Sequence, residues 1–386
     1  MNALFFPLYA VVLAALVCAH FVPAYRAWRD SRGEQPSDID PDYVRLEDYF
    51  ARSFRLKVSE WIKLPVQAAM PDGTCVLVKG REQVKVSPAA QYPPRSRSDE
   101  ILVVQGAFEC SAGCIFNREI YVRRDARIGP GSRLQSIAVD GDLSLGAGVQ
   151  ITRWVDAAGT LEIGPDSVVR SRATAGRLVR LAKGVRVASV FAPTVTTAAA
   201  MDGNGEKPAG RPTPEIEIPG AVAARGGDGG AAKAGMEAAS FRWLSPDCGI
   251  YDGDLMPSAP VRVACKLVVK GDLVLPAGSI LEGDVKAHGR IVVGEGAVCR
   301  GNVVAGGDIS FGPFSRFHGV VHAGGTVRLG RRVCGGSEDV KVAVYATDTL
   351  VLEEDVIVHG KVASADCVVV PASPKRGSHS GRKSLS

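Results

Sequence analysis

The sequence predicts an all-β fold, a three-sided parallel β-helix with about 18 residues per coil, which we expect to be right-handed. Three observations support this prediction. Apolar residues repeat every six positions, the best-matched positions recur every eighteen, and a turn that often contains glycine follows each short strand. Two inward side chains on either side of one outward side chain are typical of a β-strand. Three such strand-turn units make one coil, on which the next coil stacks.

The repeat is clearest between Leu273 and Val333, where equivalent positions lie eighteen residues apart. One series and its companion two residues later are Leu273, Ile291, Ile309 and Val327, with Leu275, Val293, Phe311 and Leu329. A second series is Val285, Val303 and Val321, with Ala287, Ala305 and Ala323. Similar residues therefore occupy equivalent positions in successive coils, as the stacking of coils requires.

The same period continues on both sides of this stretch. It holds at Leu143, Leu161 and Val179, slips by one residue near Ile137, and can be followed back to Leu102. After a predicted loop at Cys334–Asp339 it resumes with Val344/Ala346, Leu350/Leu352, Val356/Val358 and Val368/Val370. Composition agrees, since glycine accounts for 44 of 386 residues and aromatic residues for only 6%. A narrow coil leaves room for small and β-branched side chains rather than for large rings.

The pattern divides the chain into segments. We predict a transmembrane anchor at 1–24, a connector with an amphipathic helix at 25–98, a first β-helix block at 99–193, a flexible Gly/Ala/Pro-rich insertion at 194–254, a second block at 255–370 and a disordered basic tail at 371–386.

The anchor prediction rests on an uncharged apolar run over residues 3–22, which is long enough to cross a bilayer as a helix. Arg26, Arg29 and Arg32 follow the run, and no basic residue precedes it. The positive-inside rule then predicts a single-pass protein of the inner (cytoplasmic) membrane, with the bulk of the chain in the cytoplasm. A cleaved export signal is the alternative interpretation.

The connector contains apolar residues at helical spacing. They are Val44, Leu46, Tyr49, Phe50, Phe54, Val58 and Trp61, which would share one face of a helix. We expect that face either to cap the first open coil or to dock on the membrane surface, and capping is the commoner need of a solenoid.

The residues that usually carry chemistry are sparse. His288, His318 and His359 each precede a glycine at a turn corner, and His318 and His322 lie four apart on different parts of a coil. Glu353, Glu354 and Asp355 share one turn, which is typical of a solvated corner. The sequence contains no phosphate-binding loop, nucleophile elbow or dinucleotide fingerprint. We therefore expect no catalytic, cofactor-binding or metal site, and hence no enzyme.

Charge and cysteine usage narrow the classes of partner. A net charge of +5 is mild and does not predict nucleic-acid binding. The nine cysteines form no C-x-x-C pair, and Cys110, Cys114 and Cys299 fall on inward positions. Scattered thiols that fill a core suit a reducing compartment, which agrees with a cytoplasmic body.

The second block resembles the bactofilins, a family of bacterial polymer-forming cytoskeletal proteins. The shared features are the unit Gly-x-[Ile/Val/Leu]-x-[Ile/Val/Leu]-Gly, the recurring Val-x-Ala-Gly-Gly and the eighteen-residue coil, best over 261–370 and looser over 102–191. The resemblance implies a right-handed β-helix that assembles end to end into filaments beside the membrane and organises cell-envelope or cell-wall synthesis proteins. The chain departs from the family in having two blocks, an insertion, a helical connector and an anchor.

The functional expectation is therefore a membrane-anchored scaffold that assembles with itself and uses no cofactor. Each terminal coil of a β-helix exposes unpaired strand edges. Val362, Val368 and Val370 in the last coil are the candidate polymerisation end. Two alternatives remain: an acyltransferase built on hexapeptide coils, and an envelope adaptor that does not polymerise.

Overall fold

The computed structural model describes residues 47–79, 82–197 and 241–372. Two compact units divide the chain, Met1–Tyr49 and Phe50–Ser386, and the repeats lie in the second. The predicted anchor, most of the connector before the helix, residues 198–240 of the insertion and residues 373–386 of the tail lie outside the described residues. No helix among the described residues is long and apolar enough to cross a bilayer.

The second unit is an all-β parallel solenoid of about 14 turns with about 18 residues per coil, which confirms the predicted all-β repeat and its coil length. Among the described residues, the helix α1 (Tyr49–Trp61) precedes the strands. The strands in chain order are β1 (Ala68–Ala69), β2 (Cys75–Lys79), β3 (Glu82–Ser87), β4 (Ala90–Tyr92), β5 (Arg97–Ser98), β6 (Ile101–Val104), β7 (Phe108–Cys110), β8 (Ile115–Val122), β9 (Ala126–Ile128), β10 (Arg133–Val139), β11 (Leu143–Leu145), β12 (Gln150–Ile151), β13 (Val155–Ala157), β14 (Thr160–Ile163), β15 (Val168–Ala175), β16 (Leu178–Leu181), β17 (Arg186–Thr197), β18 (Phe241–Ser245), β19 (Cys248–Tyr251), β20 (Arg262–Val263), β21 (Lys266–Val269), β22 (Leu273–Leu275), β23 (Ile280–Leu281), β24 (Val285–Ala287), β25 (Ile291–Val293), β26 (Val298–Cys299), β27 (Val303–Ala305), β28 (Ile309–Phe311), β29 (Arg316–Phe317), β30 (Val321–Ala323), β31 (Val327–Leu329), β32 (Cys334–Gly335), β33 (Val342–Ala346), β34 (Thr349–Leu352) and β35 (Ile357–Val369).

Strand register follows the eighteen-residue repeat read from the sequence. Leu273 pairs with Ile291, Ile291 with Ile309, and Ile309 with Val327, all in parallel. These side chains point inward and are at most 1% exposed, because each coil buries its apolar positions under the next. The inward alternation and the stacking are therefore both confirmed.

Each coil of the first block has three faces. The first face carries β3, β6, β13 and the C-terminal parts of β8, β10 and β15; the second carries β4, β7, β9, β11, β14 and β16; the third carries β5, β12 and the N-terminal parts of β8, β10, β15 and β17. A shift of register between Leu134 and Ser136 accounts for the slip near Ile137. The predicted loop in the second block is also present, since Val321 pairs with Val344 across a longer coil.

The block boundaries differ from the predicted ones. Paired coils begin at Glu82 rather than at residue 99, because β3, β4 and β5 stack on β6, β7 and β8. The first block extends to Thr197, and the second begins at Phe241 with an antiparallel hairpin, β18–β19. The described ends of the predicted insertion therefore belong to the two blocks.

Side chains in the turns supply hydrogen bonds between coils where strands are absent. The backbone N–H of Arg290 donates to Asp272 Oδ1 at 2.9 Å, and that of Thr326 donates to Asp308 Oδ1 at 2.7 Å. Inside the coil, the buried hydroxyl of Ser279 accepts from the N–H of Val261 at 3.3 Å. Such contacts satisfy backbone donors that would otherwise lie unpaired between stacked turns.

Helix α1 packs along the side of the first block. Its buried residues Ala51, Phe54, Val58 and Trp61 face the outer side of the first face, where they meet Val103. The predicted helix is confirmed with Phe54, Val58 and Trp61 of its apolar face buried, whereas Phe50 is 41% exposed and Val44 and Leu46 lie outside the described residues. The expected cap over the first open coil is wrong, because the apolar side chains of α1 pack against the outer side of the first face, which we call the flank of the block.

Candidate functional site

The two blocks meet through the last strands of each. β17 and β35 pair antiparallel, with Val187 opposite Val368 and Val190 opposite Val362. Successive coils within each block pair in parallel, so an antiparallel pair between the last strands of the blocks means that the two C-terminal coils face each other. The chain thus contains an internal tail-to-tail joint between two solenoids.

The joint occupies the edge that the sequence predicted to be open. Val362, Val368 and Val370 are 0%, 1% and 3% exposed. The N–H of Val370 donates to the carbonyl of Val185 at 3.1 Å, and the carbonyl of Val370 accepts from the N–H of Gly184 at 2.8 Å. The prediction of a free polymerisation end at these residues is corrected, because a strand of the same chain already pairs with this edge.

Polar side chains close the corners of the joint. Thr197 Oγ1 donates to the carbonyl of Glu353 at 2.6 Å and accepts from the N–H of Val356 at 3.0 Å. Lys183 Nζ lies 2.6 Å from Glu354 Oε1, and this contact lowers the pKa of the Glu354 carboxyl. The first block therefore completes hydrogen bonds that the last coil of the second block would otherwise lack.

His359 also lies in the joint and is half-buried. Its Nδ1 is 3.2 Å from Thr194 Oγ1. Burial lowers the pKa of the imidazole, and the positive charge of Lys341 lowers it further. The neutral ring is therefore the form that the folded joint favours.

A polar cluster fastens α1 to the flank. Arg55 Nη2 lies 2.6 Å from Asp156 Oδ2, and Arg55 Nε lies 2.7 Å from Asp140 Oδ1. Thr174 Oγ1 donates a short hydrogen bond to Asp156, whose side chain is only 7% exposed. Tyr121 donates to Asp140 Oδ2 at 2.5 Å, and burial together with this bond raises the pKa of Tyr121 to about 12. A cation on the helix thus meets two carboxylates on the solenoid.

Sequence reasoning missed the surface that receives the helix. Ile101, Val103 and Ala138 point outward yet are at most 2% exposed, because α1 covers them. The signal was visible in the four consecutive apolar residues of β6, Ile101–Val104, which break the alternation of a strand with one buried side.

The outer end of the second block presents an apolar edge. β18 pairs only with β19 among the described strands, so its other edge has no partner there. Trp243, Leu244 and Met256 near this edge are 43%, 66% and 52% exposed. Phe241 packs its ring against Trp243 at 5.3 Å between centroids. An unpaired strand with apolar side chains is a template for pairing with another chain.

The outer end of the first block differs from this one. β3 is covered on its far side by β2, and β2 in turn by β1, all antiparallel. β4 and β5 pair on one side only among the described strands. Hence this end is partly covered, whereas the end at β18 exposes a whole strand edge.

The remaining sequence-predicted residues are dispersed. His288, His318 and His322 are exposed on outer positions of the second block. Burial raises the pKa of Cys299 to about 12 and that of Cys110 to about 11, which agrees with thiols that fill the core. Within the described ranges, no three His, Cys, Asp or Glu residues are grouped closely enough to hold a metal ion.

The fold and its joint define a protein class, a β-solenoid made of two blocks joined tail to tail. No family model matches the chain, and neither a curated protein nor a solved structure matches it significantly. The likeness to bactofilins therefore stays a resemblance of repeat pattern.

Proposed function

We propose that this protein is a bactofilin-like structural scaffold, held at the inner membrane by residues 3–22, which assembles end to end through its coil edges and organises envelope machinery. The observation that carries the proposal is the β17–β35 joint. This chain already joins two solenoids through the edges of terminal coils. The same chemistry is available at the two outer ends.

The first contact in this assembly is the edge of β18. Two copies would pair their β18 strands antiparallel about a two-fold axis, so that each contributes the same surface. This pairing would satisfy the backbone groups of β18 that have no partner among the described strands, and it would bury Trp243 and Leu244, which are 43% and 66% exposed. Full burial of a large apolar side chain contributes about 1.5–3 kcal/mol. The partly covered end at β4 and β5 would form the second and weaker contact that extends a dimer into a filament.

The test measures the assembly state of the full chain in a neutral detergent, by analytical ultracentrifugation and electron microscopy. A doubly charged variant, Trp243→Lys with Leu244→Lys, places like charges across the proposed pair. A matched control, Val340→Lys, changes a side chain that is 45% exposed in the loop of the longer coil.

The wild type and V340K are expected to form dimers or filaments, and the double variant to remain monomeric. A wild type that stays monomeric at high concentration would contradict self-assembly and favour the adaptor alternative. Filaments that persist in the double variant would contradict the role of β18. The membrane part is tested separately, since deleting residues 1–24 should release the protein from the membrane fraction when salt screens other, electrostatic contacts.

A further inference from the structure

A basic strip runs along one corner of the first block, where the third face turns into the first. It consists of residues 133–136, 150–154, 168–172 and 186–189 on four consecutive coils. The strip contains Arg133, Arg153, Arg170, Arg172 and Arg186 and no carboxylate. We name these residues the arginine strip.

Few acidic side chains in the described part of the chain contact the arginine strip. The side chains of Arg133 and Arg170 are exposed and make no hydrogen bond or ion pair with any part of the chain that the structure describes. Arg153 contacts Glu119, which lies two coils away, at 3.3 Å, and Asp166 belongs to the turn on the opposite edge of the third face. Stacking brings successive coils to about 4.8 Å, where two unit charges in water repel by about 0.9 kcal/mol. The strip therefore carries charge that an external anion would compensate.

A shallow groove lies within the strip, next to the register shift between Leu134 and Ser136 in β10. The groove is lined by Phe116, Asn117, Arg133, Leu134, Gln135, Thr152 and Arg153. Its volume is about 180 Å³. Two arginines thus line one groove, and a guanidinium group provides the planar, two-pronged donors that phosphate oxygens accept best.

An aromatic side chain adjoins the strip. The guanidinium of Arg172 lies 5.5 Å above the ring of Phe50, which is 41% exposed. The Nη1 of Arg172 is buried and has no hydrogen-bond partner within the described ranges. Basic side chains beside an exposed aromatic ring are typical of surfaces that rest on the headgroup region of a bilayer.

We propose that the arginine strip binds the phosphate groups of anionic phospholipids and holds the flank of the first block against the membrane. The choice of a lipid surface over another polyanion rests on the proposed tether at residues 3–22. The tether and Phe50 are separated by only 27 residues (50 minus 23), which span at most about 95 Å when extended. The strip is therefore within reach of the bilayer that the tether would enter. Each basic residue near an anionic surface contributes about 1 kcal/mol, so the strip acts as a second contact besides the tether.

The experiment footprints arginine side chains in the full chain after reconstitution into vesicles. Vesicles of phosphatidylcholine alone are compared with vesicles that also contain phosphatidylglycerol, and a dicarbonyl reagent modifies accessible arginines for peptide mass spectrometry. Arg127 is the internal control, because it is an exposed arginine on the second face of the same block.

Phosphatidylglycerol is expected to reduce modification of Arg133, Arg153 and Arg170 several-fold and to leave Arg127 unchanged. Added salt should reverse this protection, since it screens exposed charges. In a variant with Arg133→Gln and Arg170→Gln, Arg153 should lose its protection, whereas Arg127→Gln should keep it.

Three results would overturn the proposal: equal modification in both kinds of vesicle, protection of Arg127 to the same degree, or protection by a soluble oligonucleotide or polyglutamate but not by phosphatidylglycerol. Failure of the tether is recognised separately, because the full chain would then not float with phosphatidylcholine vesicles. The strip is still tested in that case, since anionic vesicles can be added to the soluble chain.

Discussion

Replacing Arg55 with leucine should release α1 from the flank of the first block. The substitution removes the cation that faces Asp156 and Asp140, while it keeps apolar volume and a comparable helix propensity. Asp156 would then remain buried without the cation that faces it, although Thr174 still donates a hydrogen bond to it. The solenoid itself should stay intact, because Arg55 contributes nothing to its core.

The expected loss follows from the burial of the pair. Breaking a buried ion pair by removing one partner costs about 3–5 kcal/mol. The side chain of Arg55 is 25% exposed and that of Asp140 is 34% exposed, so water compensates part of the loss. We expect a value at the lower end, about 3 kcal/mol, for the opening of α1.

Hydrogen exchange of the amides in Tyr49–Trp61 measures that opening directly. A loss of about 3 kcal/mol corresponds to exchange roughly a hundredfold faster at these amides. Lys57→Leu is the matched control, because Lys57 is exposed on the opposite side of the helix. The double variant Arg55→Leu with Asp156→Asn should be less destabilised than the sum of the single variants. Unchanged exchange in R55L, or strict additivity in the double variant, would refute the role of this pair.

Two further outcomes concern the core and the joint. Phe317→Ala should lower the free energy of unfolding by about 3–5 kcal/mol in a denaturant titration, because the ring is fully buried against Phe311, whereas Phe314→Ala at an exposed turn should change it by less than about 0.5 kcal/mol. His359 has a folded-state pKa below its ordinary value near 6.5, so the unfolded chain takes up the proton first; its contribution is complete above about pH 6.5 and is lost as the pH falls below that value. The melting temperature should therefore fall by less in His359→Asn than in the wild type when the pH is lowered from 7.5 to 5.5. The control His322→Asn should show the full decrease of the wild type. An identical decrease in H359N would contradict the argument.

The repeat was readable from the sequence because each coil uses local rules. Inward residues such as Leu273 and Ile291 must be apolar, and a turn must follow each short strand. The slip near Ile137 and the loop after Cys334 were also visible, since an extra or missing residue shifts the alternation. These features depend on residues that are near neighbours along the chain or one coil apart.

Neither the position of α1 nor the existence of the joint could be predicted from the sequence in the same way. The apolar stripe of α1 showed that the helix needed a partner surface, but an open coil end and a flank would satisfy it equally. The arrangement of outward residues from several coils selected the flank, because Val103, Ala138 and Asp156 form one surface only after stacking.

The sequence by itself determined the β-solenoid, its eighteen-residue coil and the inward residues of both blocks, because period and burial are set by neighbours along the chain. Only the tertiary structure decided how the blocks meet. Val362 and Val368 have the same pattern whether their edge is open or paired, and pairing with β17 depends on a strand more than 150 residues away along the chain. The free edges, and with them the surfaces left for assembly and for binding, are therefore a property of the folded chain.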